Sequence, residues 1–403
     1  MRSPLPVLVL GSGVTGLGVI RTFGGDGIRA YTADVSDPLM RRSRWFHRLP
    51  APYDVVPDEG HFEEWLHRLP LDRAVLMACS DHWLARVAAL DATTRARFPA
   101  SVPAPATIRH FVDKGAFAAL LHETSTPHPW SGALETAADL DAVPDAVFDS
   151  AMLKPRDSQR FNEEFGVKAL HVTSRADAHQ QFARITRAGF PVILQEYVPG
   201  PATQHYFVEG FIDRAGVPRA VFARQRLRMY PFDFGNSTSM ISVPAEAVPG
   251  ATASILGLLR QAGYRGIFSA EFKLDPRDSV FKILEVNVRP WWYIDFAARC
   301  GVDVCRMAYS DALDEPVETI DEYRIGRTLI YPHPDFFACA ELWRRRQLSL
   351  WRWAREWLGA MQPVYRASDP WPGVRAFTAT ISGFLGRRLR RLRRLGHIAA
   401  STR

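Results

Sequence analysis

What this 403-residue sequence lacks narrows the possibilities first. No stretch approaches the ~20 consecutive apolar residues of a membrane-spanning helix. Cysteine is scarce, and the four present (Cys79, Cys300, Cys305, Cys339) follow no disulfide or zinc spacing. They read as buried free thiols in a reducing cytosol. The opening MRSPLPVLVLGSG is apolar only briefly and lacks the longer apolar segment and cleavage site of a signal peptide, so a cytoplasmic location is expected. There is no internal repeat and no evident Ser/His/Asp or Cys/His set for nucleophilic catalysis. Basic charge is also confined. The formal net charge of +7 includes six arginines between Arg387 and Arg394, and without them the balance is +1, so the main body gives no argument for nucleic-acid binding.

What is present is a globular composition, 47% hydrophobic and 23% charged, at a length that suits two or three domains. Residues 1–105 alternate strand and helix signals. VLVLG (7–11), IRAYTAD (28–34) and AVLMAC (74–79) read as strands, with helices from about Thr15 to Gly25 and from His82. That alternation predicts a doubly wound parallel sheet, ending at a linker marked by Pro99, Pro103 and Pro105. Over 106–313 the pattern changes. FVDKGAFAALLHET reads as one amphipathic helix, and strands are expected at 151–155, 191–200, 205–213 and 218–230. A hairpin of GIFSAEFKLD and VFKILEVNVRP follows, joined through PRDS. Residues 314–403 read as a helical extension, rich in tryptophan and arginine over 341–361. The fold class is therefore α/β with an α+β second part.

The turn GSGVTG (Gly11, Gly13, Gly16), with Asp34 downstream, matches the dinucleotide fingerprint, whose glycines let a phosphate approach a helix N-terminus. The same turn also serves simply to pass from strand to helix. The hairpin says more. Side chains alternate across a strand, so Glu285, Asn287 and Arg289 share one face, opposite an apolar row of Leu284, Val286 and Val288. With the turn at 276–280, Glu271 lies across from Glu285, and Lys273 and Asn287 lie beside them. Two close carboxylates repel unless a cation lies between them, and two acids with an amide oxygen suit Mg2+. Arg289 could then fork a phosphate or carboxylate. A salt-bridged solvent-facing hairpin is the plainer alternative. Lys154 ends a strand before a loop, a reasonable place for a phosphate-facing cation. Arg224, Arg226 and Arg228 alternate on one strand face, a concentration of charge that an anionic ligand would relieve.

The order Lys114, Lys154, LQEYVPG, the arginine strand and then AEFK…LEVNVRP resembles the ATP-grasp superfamily, and within it the carboxylate–amine ligases. The likeness covers roughly residues 5 to 310, and EVNVRP with Glu271 is its most specific part. The resemblance implies a pre-ATP-grasp first domain, which gives the glycine turn a role without a dinucleotide. It implies that Lys114 and Lys154 contact ATP and that Gln195, Glu196, Tyr197 and Val198 form the adenine-reading hinge, with Lys273 among the nucleotide contacts. Glu271, Glu285 and Asn287 would hold Mg2+, and Arg289 with Arg226 or Arg228 would stabilise the transferred phosphoryl group and an acyl phosphate. The expected partners are a small-molecule carboxylate and an amine. The alternatives are another ATP-grasp outcome, a carboxylate–thiol ligase or carboxylase-type enzyme, and a nucleotide-binding protein without turnover.

Two departures stand out. RDSQRFNEEFGVKAL has only Gly166 where the family often has a glycine-rich lid, which would leave Arg156, Arg160 or Lys168 to grip phosphates. GPATQHY lacks an acid for the ribose, so Gln204 or Thr203 would substitute. On the substrate side, Asp233, Asn236 and Ser237 lie near the arginine strand, and Trp291, Trp292 and Asp295 are candidates to wall an acceptor pocket, core packing being the plainer role for the aromatics. His205 reads as a sheet-face histidine. In the tail, Leu385, Leu389, Leu392 and Leu395 recur at helical spacing among arginines. That pattern suits either a packed terminal helix or peripheral contact with an anionic inner-membrane surface or acceptor. A homodimer is left open.

Overall fold

The computed structural model describes residues 4–32, 36–54, 61–155, 161, 164–167, 169–232 and 235–380. Strands β1 (Val7–Leu10), β2 (Ala30–Thr32), β3 (His47–Arg48) and β4 (Val75–Ala78) pair in parallel in the order β3-β2-β1-β4. VLVL and VLMA are apolar without alternation because both faces of the sheet are covered. Leu8, Leu10, Leu76 and Ala78 pack with Phe62, Leu66 and Leu84 on one side. Val7, Val9, Val75 and Met77 pack with Leu17, Ile20 and Phe23 of the Gly13–Gly25 helix on the other.

The glycine turn carries its own anion. The Gly13 N–H donates to Asp37 Oδ2 at 2.6 Å, and Asp37 Oδ1 accepts from the N–H groups of Leu39 and Met40. A Cβ on Gly16 would come within 2.7 Å of Met40 Sδ. The turn thus packs against the chain's own next loop. Asp34 lies outside the described residues.

A second sheet, β5 (Ser131–Leu134), β6 (Ala151–Pro155), β7 (Leu170–Val172) and β8 (Val192–Glu196), is antiparallel in the order β5-β8-β6-β7. Its core is closed by Phe182 and Ile185 of the Arg175–Arg187 helix. The third and largest sheet comprises β9 (His205–Ile212), β10 (Pro218–Tyr230), β11 (Asn236–Val243), β12 (Gly266–Asp275), β13 (Val280–Asn287) and β14 (Thr328–Ile330). All its neighbours are antiparallel, in the order β13-β12-β9-β10-β11-β14.

Three local readings are corrected. The helix expected over 111–124 is two helices, Pro105–Val112 and Lys114–Glu123, because Asp113 breaks the chain and caps the Ala116 N–H at 2.9 Å. β11, absent from the sequence reading, has no apolar alternation. Its buried Ser237, Thr238 and Ser242 are instead held by hydrogen bonds to Arg226, Asp335 and Arg324. Thirdly, the β12/β13 register passes from Glu271–Glu285 to Phe272–Ile283, which leaves Leu284 as a bulge. The buried row is therefore Ile283, Val286 and Val288, and Leu284 turns with Glu285 toward the cleft.

The C-terminal segment folds back on the rest. Helices Pro332–Arg344 and Leu350–Gly359 follow β14, and residues 371–380 are helical. The fully buried Arg21 of the first helix donates to Asp369 Oδ2 at 3.0 Å and to the carbonyls of Pro363 and Val364. The tail from Leu385 onward lies outside the described residues. Among those residues no helix is long and apolar enough to cross a membrane.

Candidate active site

The edge hairpin of the third sheet forms the floor of a cleft. Glu271 and Glu285 stand opposite each other in register. Burial works to raise the Glu271 carboxyl. Arg226, donating at 2.8 Å, and His205 Nδ1, at 2.9 Å, outweigh it and hold Glu271 well below the usual carboxylate range. Arg226 is itself fixed through Nε to Ser237 Oγ at 2.8 Å. Glu285 opens on the cleft yet is ringed by protein. That burial, followed by the Glu271 charge, pushes its carboxyl up, while Lys154, Arg289 and Lys114 oppose the shift. No hydrogen bond or ion pair among the described residues engages the Glu285 carboxylate.

The roof comes from the second sheet. Lys154 Nζ donates to Gln195 Oε1 at 2.8 Å, and Gln195 Nε2 donates to Ser131 Oγ at 2.9 Å. Burial lowers the Lys154 ammonium, and the charges of Glu285 and Glu271 across the cleft work the other way. Lys114 Nζ donates to the Pro155 carbonyl at the end of β6. The crossing between the sheets is firmly tied. The Glu196 N–H donates to Trp130 O and the Tyr197 N–H to Ser150 O, each at 2.8 Å. Glu196 Oε1 also pairs with Arg277 at 2.6 Å. Lys273 Nζ sits 4.7 Å from the centroid of the Tyr197 ring.

Two cavities of about 390 Å3 each lie between roof and floor, and Lys154, Leu284 and Glu285 border both. One takes in Glu196, Tyr197, Val198, Arg226, Glu271 and Lys273. The other takes in Lys114, Gln195 and Asn287, together with Asp81 from the first sheet's Asp81–Ala89 helix. Of the residues expected to hold ATP, Mg2+ or the transferred phosphoryl group, Arg226, Lys114, Lys154, Gln195, Glu196, Tyr197, Val198, Lys273, Glu271, Glu285 and Asn287 line one cavity or the other, and Arg289 and Arg228 line neither.

Arg289 lies at the rim. Its guanidinium forks the Asp81 carboxylate, Nε to Oδ1 at 2.8 Å and Nη2 to Oδ2 at 3.1 Å. Arg228 turns away altogether. It donates to both oxygens of the buried Asp335 at 2.9 Å and also pairs with Glu356, on the two C-terminal helices. Arg224 is likewise buried against Glu209, at 3.0 and 2.8 Å. The expectation that these arginines await an anionic ligand is thus corrected: Glu209, Glu271 and Asp335 supply one carboxylate to each. A register irregularity around Arg228 in the β10/β11 ladder accompanies the change of direction.

Other expectations are also redirected. Trp291 is core, and Trp292 packs edge-on against Tyr331. Asp295 pairs with Arg299 at 3.7 Å and Arg366 at 3.4 Å, and none of the three lines either cavity. Gln204 tucks beneath Gly200, where a Cβ would meet its Oε1 at 1.6 Å and φ is +106°. Asn236 lines the hinge cavity. Arg156, Arg160, Lys168 and Asp233 lie outside the described residues. Sequence reasoning missed Asp81 and the contact of His205 with Glu271. Asp81 had a signal, since it opens a helix just beyond the carboxyl end of a parallel strand, where α/β sheets place ligands. Lys114 had a stronger one than its helix spacing. The chain has five lysines against forty-five arginines, and Lys114, Lys154 and Lys273 all face the cleft.

A small antiparallel sheet facing a larger one across a cationic and acidic cleft, preceded by a parallel sheet, is the ATP-grasp architecture. Solved structures agree. The N5-carboxyaminoimidazole synthetase of Staphylococcus aureus superposes with a TM-score of 0.63 at 12% identity, over 86% of this chain and 87% of that one. The same enzyme complexed with ADP gives 0.59 at 13%, over 82% and 83%. An L-amino acid ligase from Bacillus licheniformis gives 0.57 at 15%, over 81% and 79%. No protein-family model and no curated relative matches the sequence, so the likeness is one of fold.

Proposed function

We propose that this protein is an ATP-dependent ligase that joins a carboxylate to an amine through an acyl phosphate, releasing ADP and phosphate. The observation that carries the reading is the Glu271–Glu285 pair, set between Arg226 and Lys154 in a cleft bordered by both sheets. The Glu196–Val198 crossing would hold the base of ATP, and Lys154 and Lys114 would hold its phosphates. Several similar structures are ligases, and one of them holds ADP.

The residues present suit Mg2+. Among the described residues no three His, Cys, Asp or Glu side chains converge as a metal site. Glu271, Glu285 and Asn287 would hold the ion, with phosphate oxygens and water completing its sphere. When bound, it offsets negative charge on the phosphates. Glu285, ringed by protein and engaged by no hydrogen bond or ion pair among the described residues, is the side chain such an ion would compensate.

The acid's carboxylate oxygen attacks the γ-phosphorus as the bond to ADP breaks. The amine nitrogen then attacks the acyl carbon, loses a proton, and phosphate leaves with the carboxylate-derived oxygen. Such transfer needs positioning and charge stabilisation rather than a nucleophilic side chain. Lys154 and Arg226 supply fixed positive charge. Arg289, now bound to Asp81, can hand its fork to the acid or the acyl phosphate. ADP and amide formation measured over a panel of carboxylates, amines and thiols tests the reading. Release that requires both an acid and an amine supports it, and stimulation by thiols instead would replace it with thioester formation.

A further inference from the structure

We infer that the C-terminal helices form a docking face for an anionic lipid surface. The Leu350–Gly359 helix is apolar on two sides. Inward, Trp353 packs on Phe336 and the Trp357 indole donates to Asp335 at 2.8 Å. Outward, Leu350, Trp351, Ala354 and Leu358 recur at helical spacing, with Trp351 79% and Leu358 89% exposed. The helical residues 371–380 repeat the pattern, with Trp371 63% and Phe377 67% exposed. Isolated exposed apolar side chains are ordinary, but a run of aromatic and leucine side chains on successive helices is not.

The charge chooses the occupant. Residues 341–403 hold fourteen arginines against Glu341, Glu356 and Asp369, a formal +11, and residues 1–340 carry −4. Arg344, Arg345, Arg352, Arg355 and Arg375 are exposed on the same segments as the apolar side chains, and the remaining basic charge follows immediately in sequence. A second copy of this face, or the chain's own tail, would bring like charge to like. Exposed apolar side chains, tryptophans among them, with arginines on the same segments match headgroups above acyl chains, where both terms favour binding. The face lies outside the ligase cleft and does not depend on the reaction proposed for it.

Co-sedimentation of the full chain with vesicles tests this. Binding is expected to vesicles of phosphatidylcholine mixed with phosphatidylglycerol and not to phosphatidylcholine alone, and it should weaken with salt. The double variant Trp351→Glu, Leu358→Glu is expected to lower partitioning by about tenfold or more. Both sites are exposed, so its circular dichroism and melting should match the unaltered protein and rule out a folding defect. Unchanged partitioning of this variant overturns the proposal and leaves any binding to basic charge alone. So does a dimer that the same variant dissolves, or binding to a single-stranded oligonucleotide that it abolishes, either of which assigns the face to another partner.

Discussion

Removing Asp335 should free the C-terminal helices from the large sheet. Its side chain is fully buried and accepts from Arg228 Nε and Nη2 at 2.9 Å, Thr238 Oγ1 at 2.7 Å and Trp357 Nε1 at 2.8 Å. Asp335→Ala leaves a buried guanidinium with Glu356 as its remaining carboxylate. Breaking a buried pair from one side costs about 3–5 kcal/mol, and the stranded Thr238 hydroxyl adds to that. At about 1.4 kcal/mol per tenfold, amide exchange across residues 332–344 should quicken by roughly a hundredfold to a few thousandfold. Arg228→Met combined with Asp335→Leu removes both charges and should recover most of that loss, because an apolar pair of similar size is often neutral. The double variant should keep ATP turnover, since Arg228 faces away from the cleft. Acceleration under about tenfold in Asp335→Ala would refute the energetic argument. Loss of turnover in the folded double variant would put Arg228 back in the reaction.

Two further outcomes are expected. Burial pushes the thiols of Cys79 and Cys339 up to about 12 and that of Cys300 to about 11, and it raises Cys305 well above the ordinary thiol value. A thiol-specific disulfide reagent should therefore titrate almost none of the four in the folded protein and all of them in denaturant, and rapid reaction of a native thiol would contradict the burial. Burial, against the Glu271 hydrogen bond, pushes His205 down to about 4, while Arg226 and Lys273 also disfavour its cation. Its unfolded value is about 6.5, so stability should fall as pH drops from about 6.5 toward 4, by up to about 3 kcal/mol. His205→Gln should flatten that slope in melting measured at several pH values, and an identical slope would place the effect elsewhere.

The sequence made some elements plain and hid others for physical reasons. β6, β10 and β12 follow directly from apolar or β-branched runs bounded by turn residues. The Glu271–Glu285 pairing does not follow from turn length alone: the turn is residues 276–279, with Asp275 opposite Val280, and without the Leu284 bulge Glu271 would meet Leu284. The bulge at Leu284 was hidden because a one-residue irregularity leaves no mark on alternation. β11 was hidden because its buried hydroxyls are satisfied by residues far along the chain. Arg228 shows the same limit. Period-two spacing put it beside Arg226, but its direction depends on Asp335, 107 residues later. Arg289 was read as an anion-binding fork from its strand position, while the carboxylate it meets comes from the first sheet, 208 residues earlier. Local pattern revealed which residues share a face, and long-range partners decided which of them face the cleft.

The central claim, that a carboxylate is activated by phosphoryl transfer at the Glu271–Glu285 cleft, is tested most directly with a carboxylate bearing heavy-oxygen label. During amide formation with ATP, one labelled oxygen should appear in the released phosphate, and Glu285→Gln should slow that transfer by about a hundredfold or more. Unlabelled phosphate accompanying amide formation, or full transfer in Glu285→Gln, would contradict the account.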